Sequence, residues 1–189
     1  NVSKKENAIL ELIDRYNIIS TINLHFLFKY KPNRYIYMQK LCSKGLVDFK
    51  QYPKLKIWFL TDLGRKYIEN KEGKKVLKQK KKAYSKKEVQ RISKTINIDI
   101  CINKKHSVEG DITELYSKKY LEAILPENVF QIPDIAFTYL GKFQIAIESI
   151  TSILNVDLEN SFIKFFKTSS YQRIYWVYEK QEEINAILS

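Results

Sequence analysis

The sequence predicts a mixed α+β protein made of two modules, and three observations carry that prediction. Residues 3–69 string together capped, apolar-faced helical stretches and one short β-hairpin. Residues 89–189 read as helix, strands, hairpin, helix and strand, the order of a layered α/β domain. Residues 71–88 lie between them and are dominated by lysine. The expected domains are therefore 1–70, a basic linker or helix over 71–88, and 89–189.

At 189 residues, 44% hydrophobic and 13% aromatic, the chain is large enough for one or two cores. Its net charge of +12 is unevenly placed. Residues 1–100 carry 24 Lys and Arg against nine Asp and Glu, a balance of +15, whereas residues 101–189 carry nine against twelve, a balance of −3. Such segregation points to a front half that binds a polyanion and a nearly neutral back half. No apolar run is long enough to cross a bilayer, and no signal peptide is visible. Cys42 and Cys101 have no metal-ligand spacing, and free thiols of this kind suit a cytoplasmic protein. The start at Asn1 and the end at Ile-Leu-Ser read as those of a fragment or trimmed chain.

The front half is expected to fold as follows. Ser3 and Glu6 form a capping box that opens a helix, with Ile9, Leu10, Leu12 and Ile13 on one face and Asn17 at the exit. Ser20 or Thr21 caps a second helix, "TINLHFLFKY", whose Ile22, Leu24, Phe26, Leu27 and Phe28 read as packed, with His25 packed among them. Pro32 and Asn33 open a third helix that stops at Gly45, a suitable left-handed cap. A strand over 46–50, a turn near Tyr52-Pro53, a strand over 55–60 and a helix from Thr61-Asp62 complete the module.

Three helices, a hairpin and a returning helix, with "LCSKGLV" before the hairpin and "FLTDLGRKYI" after it, resemble the winged helix-turn-helix family over residues 3–69. That resemblance implies a third helix in the major groove of double-stranded DNA, its first residues reaching base edges. Asn33, Arg34, Tyr35 and Gln39 are the expected base-reading set, and Lys40 and Lys44 the flanking phosphate contacts. Lys50, Gln51, Lys54 and Lys56 surround the hairpin turn and would touch phosphates from the wing. Tyr37 and Met38 are expected to be buried under Leu41. The nine lysines of residues 70–88 suit a solvated helix or linker lying along phosphates.

In the back half, Ser85 and Glu88 form a second capping box before a short helix. The alternation Ile96, Ile98, Ile100, Ile102 then predicts a strand, and residues 103–111, with His106, a polar loop. Residues 112–125 fit either a helix or a strand. "QIPDIAFTYLGKFQIAIESI" reads as a hairpin turning at Gly141, "VDLENSFIKFFKTSS" as a helix and "RIYWVYE" as a buried strand.

This order, with Pro133-Asp134 opening the hairpin and an acid in "IAIES", resembles a restriction-endonuclease-like core. With the winged helix and basic linker before it, the chain resembles the replication-relaxation family of bacterial plasmids and conjugative elements. The resemblance implies a cytoplasmic DNA-binding accessory protein of replication or conjugative mobilisation. Its partners would be double-stranded DNA, a relaxase or replication protein, and a second copy in a homodimer.

An active nuclease of this class needs two acids on a divalent metal and a lysine two residues after the second acid. Asp134 fits the first position. If Glu148 is the second acid, Ile150 stands at the lysine position; if the acid position is 146, Ala146 occupies it. A lysine from the next helix, Lys164 or Lys167, would be the substitute. The expected back domain is thus an inactive nuclease-like module with no catalytic residues, metal or cofactor. The alternative is an Mg2+-dependent endonuclease or nickase using Asp134, Glu148 and Lys164.

Overall fold

The computed structural model describes residues 1–28, 31–73, 76, 83–109, 112–124, 134–139, 143–149 and 173–177. It is a mixed α+β protein that divides into two compact units, Asn1–Ile100 and Cys101–Ser189.

The first unit begins with α1 (Lys4–Tyr16). Glu6 N donates to Ser3 Oγ at 3.3 Å and Ser3 N donates to Glu6 Oε2 at 2.6 Å, so the expected capping box forms. Asn17 ends the helix in the left-handed region, at φ 68°. A two-residue strand β1 (Ile19–Ser20) leads into α2 (Thr21–Leu27), capped by Ser20. Then come α3 (Lys31–Ser43), the hairpin strands β2 (Val47–Tyr52) and β3 (Leu55–Leu60), and α4 (Asp62–Glu72). The sheet order is β1-β3-β2, antiparallel throughout, with Phe49 opposite Trp58 and Gln51 opposite Lys56.

The two sequence signals around the hairpin prove to be two sides of one junction. Gly45, at φ 68°, turns the chain out of α3, and Thr61 Oγ1 donates to its carbonyl at 2.5 Å while Thr61 N donates to Leu46 O at 3.1 Å. Thr61 Oγ1 also accepts from Gly64 N at 3.0 Å and so caps α4. A Cβ on Gly64 would lie 2.0 Å from Leu46 O, so only glycine lets α4 approach the backbone this closely.

Side-chain alternation gives the three-stranded sheet two packed faces. Val47, Trp58 and Leu60 join Ile9, Leu10, Ile13, Leu24, Met38 and Leu41 in the main core. On the opposite face, Ile57 packs with Ile18 and Val89. Val89 belongs to α5 (Lys86–Glu109), a continuous helix of 24 residues opened by the expected Ser85–Glu88 capping box.

Helix α5 corrects the sequence reading in two places. Residues 96–102 are helical, not a strand, and 103–109 continue the helix where a loop was expected. Val89, Ser93, Ile96 and Ile100 are buried at helical spacing, so the alternating isoleucines satisfied two periods at once. No glycine or proline interrupts Lys86–Glu109, and the first breaker is Gly110. The first compact unit runs to Ile100, and the first half of α5 packs on it.

That packing is polar as well as apolar. Asp99, fully buried, accepts from Arg15 Nη1 and from Tyr16 Oη, each at 2.7 Å. The α2 cap takes part too: Ser20 Oγ lies 2.7 Å from Ser93 Oγ, and Asn23 Nδ2 donates to Ser93 O at 2.7 Å and to Asn97 Oδ1 at 2.9 Å. Helix α2 therefore buries Asn23 and Leu24, while Ile22 (42% exposed), His25 and Phe26 (41%) face outward, against the packed positions expected for them.

In the second unit, residues 112–124, within the stretch that fitted either a helix or a strand, form strand β4 (Ile112–Ser117) followed by helix α6 (Lys118–Ile124). Strands β5 (Ile135–Tyr139), β6 (Phe143–Ser149) and β7 (Arg173–Val177) complete a sheet of order β4-β5-β6-β7. The first three strands are antiparallel and β7 runs parallel to β6. Leu121, Ile135, Ala136 and Phe137 are buried here. The expected turn at Gly141, the expected helix in "VDLENSFIKFFKTSS" and Lys164 lie outside the described residues.

Candidate nucleic-acid interface

The ten residues singled out in α3 and the hairpin do not form one surface. In α3, Asn33 lies in the first turn. Arg34 is half-buried, and its Nε donates to Phe28 O at 2.9 Å, which ties the guanidinium to the chain between α2 and α3 rather than to the open face. Tyr35 is 44% exposed, and Gln39 and Lys40 are exposed one turn further on, so these three define the open face. Met38 is buried as expected; Tyr37 is only half-buried, stacked on Phe28 with centroids 5.2 Å apart.

Lys44 points elsewhere. Its Nζ donates to Glu6 Oε1 at 2.9 Å and to Asn1 O at 2.8 Å, so its charge is offset inside the α1 cap. Burial pushes the Glu6 carboxyl up, but the Ser3 N–H and the Lys44 ammonium outweigh it and bring the group down to about 2. Beside this pair, the Nζ atoms of Lys5 and Lys40 lie 5.8 and 6.0 Å from the Tyr37 ring centroid, a basic patch that links the start of α1 to α3.

The hairpin divides its cations between two faces. Lys50, opposite Ile57, holds its Nζ 5.3 Å from the Tyr52 ring on the face that α5 covers. Lys54 is exposed in the turn, at φ 61°. Gln51 Nε2 donates to Tyr52 O and Leu55 O at 2.9 and 3.2 Å and so closes the turn. Lys56 lies on the α3 side, its Nζ 3.4 Å from the Phe49 centroid and 5.5 Å from that of Trp58. The Tyr35 ring sits 6.5 Å from Trp58 across the junction of α3 and β3.

One surface thus gathers Tyr35, Lys56 and Phe49, which is 45% exposed, around Trp58, with Gln39 one turn along α3 from Tyr35. The sequence reading passed over Phe49. Its signal was the alternation Val47, Phe49, Gln51, which leaves an aromatic residue one step from the turn on the same strand face as Lys56 across the hairpin.

In the second unit, Asp134 is buried at the start of β5, and its carbonyl accepts from Lys118 N at 3.0 Å. Ile135 pairs with Ile147 at the end of the β5–β6 register, so Asp134 and Glu148 each stand one residue along the chain from this pair. Among the described residues, no group of three or more His, Cys, Asp or Glu side chains is arranged to hold a metal ion. Nor, among them, is any helix long and apolar enough to cross a membrane. Comparison with protein-family models, with curated proteins and with solved structures finds no match to this chain.

Proposed function

We propose that the first unit is a winged helix-turn-helix that binds double-stranded DNA, with α3 at the major groove and the β2–β3 hairpin as its wing. The observation that carries this reading is the presence of Lys40 on the exposed side of α3 and of Lys54 and Lys56 on the hairpin, within a half of the chain whose balance is +15. A lysine-bearing hairpin next to an exposed helix face matches the needs of phosphate contact flanking base readout. Gln39 and Tyr35 are the base-edge candidates on this surface, and Arg34 acts by holding the start of α3. The second unit serves as a restriction-endonuclease-like module without cutting activity. It would dimerise or recruit a relaxase or replication protein, as in the accessory proteins of plasmids and conjugative elements.

The test is binding to duplex DNA across a salt series. Neutralising about six phosphates gives a slope of log K against log salt near −5. A flat response sinks the proposal. Selection from a pool of random duplexes then identifies the site.

One observation favours a second reading, metal-dependent cleavage: Asp134 and Glu148 each adjoin the Ile135–Ile147 pair of neighbouring strands. Two acids so placed can share a divalent cation such as Mg2+. Supercoiled plasmid incubated with Mg2+ decides between the two. Nicking by the wild type that is lost in the Asp134→Ala, Glu148→Ala double variant establishes cleavage; nicking that the double variant keeps comes from a contaminant.

A further inference from the structure

We propose that the surface between α3 and the hairpin stacks unpaired bases, so that the preferred ligand is a junction of duplex and single-stranded DNA. The inference rests on the DNA-binding reading and names its ligand more closely.

Two aromatic rings flank the buried Trp58. Tyr35 lies 6.5 Å from it at an interplanar angle of 52°, and Phe49 is its direct partner across the hairpin. Both rings are exposed by more than two-fifths, and unlike Phe26 on α2 they lie beside the same buried Trp58. Phosphate contacts require cations and N–H donors and gain nothing from a bare phenyl ring. Intact duplex offers base edges in its grooves but seals the flat base faces inside the stack. An unpaired base presents its π-face, and a cationic track combined with aromatic platforms is how sequence-tolerant single-strand sites are built. Lys56 supplies the matching charge: its ammonium covers one face of the Phe49 ring, 3.4 Å from the centroid, and a base that takes that face displaces it toward the nucleotide's phosphate. Lys54, exposed in the turn two residues before Lys56, adds a second cation.

The experiment uses the full chain and three fluorescein-labelled DNA probes of shared sequence: a blunt duplex, the same duplex with a single-stranded tail, and the tail alone. The tailed duplex is expected to bind tightest. Phe49→Ala is expected to erase the tailed-over-blunt preference by on the order of tenfold, as loss of one base–aromatic stack does. Tyr35→Ala should act in the same direction, and Phe49→Trp should keep the preference, which separates loss of stacking from loss of folding. A 2-aminopurine in the tail next to the duplex should be quenched by the wild type and by Phe49→Trp, but not by Phe49→Ala. Equal affinity for blunt and tailed duplex, or a preference that survives Phe49→Ala, overturns the inference and leaves duplex binding intact. Failure to bind any of the three probes overturns duplex binding as well. An RNA strand that displaces the DNA tail at equal concentration overturns the assignment to DNA.

Discussion

Replacing Asp99 with alanine tests whether the first half of α5 is a working part of the first unit. The carboxylate is fully buried and takes two bonds of 2.7 Å, from Arg15 and from Tyr16. Removing one member of a buried ion pair typically costs about 3–5 kcal/mol. Here the Arg15 side chain is 27% exposed, so its guanidinium regains some water and the cost falls to the low end. The Tyr16 hydroxyl loses a buried acceptor, which adds roughly 1 kcal/mol or more. The net expectation is about 3 kcal/mol, or a fall of about 1–3 M in the urea midpoint. The chain has two tryptophans, so a Trp176→Phe background lets Trp58 report unfolding of the first unit. Asp99→Asn keeps an acceptor for Tyr16 and should cost roughly half as much. A double-mutant cycle with Arg15→Ala should return a coupling well above 0.5 kcal/mol. If Asp99→Ala unfolds within about 0.5 kcal/mol of the wild type, the reasoning is wrong and α5 is a passive neighbour.

Other outcomes follow from the same structure. Glu6, held at about 2 in the folded chain against an ordinary 4.5, contributes stability that is fully present above pH 4.5 and fades as pH falls toward 2. The difference in unfolding free energy between wild type and Glu6→Gln should therefore shrink over that window, from roughly 2–3 kcal/mol to near zero. Gly64→Ala drives a Cβ to 2.0 Å from the Leu46 carbonyl and should destabilise by at least about 3 kcal/mol, visible as a collapse of the thermal melt. Lys54→Gln with Lys56→Gln should lower the salt slope of DNA binding by about 2, whatever the DNA sequence. Arg34→Ala should lower the melting temperature along with affinity, because its Nε bond to Phe28 O helps fix the start of α3.

Local signals read well from the sequence where the chemistry is local. The Ser3–Glu6 and Ser85–Glu88 boxes, the left-handed exits at Asn17 and Gly45, and the Thr61 cap all formed where their residue types put them. Period alone misled at Ile96–Ile102, where a run of alternating isoleucines fits a strand and also drops Ile96 and Ile100 onto one helix face. The unbroken stretch to Glu109 was the discriminating sign. The surface assignments suffered for a different reason. Lys44 and Arg34 look like free cations in one dimension, but Glu6 and the Phe28 carbonyl reach them only after folding. Asp99 likewise stands between alternating isoleucines in the sequence, and Arg15 and Tyr16 come to it only on folding.

The Arg15–Asp99 bond spans 84 residues, which gives the clasp a place in time. At synthesis rates of about 5–20 residues per second, Asp99 is made about 4–17 s after its partner. Until α5 is made, the earlier part of the first unit lacks Asp99 for Arg15, Ser93 and Asn97 for Asn23, and Val89 over the Ile18–Ile57 face of its sheet. A ribosome stalled short of residue 99 would present that bare face and its lysines together. Closure of α5 covers that face through Val89 and brings Ser93, Asn97 and Asp99 to their partners.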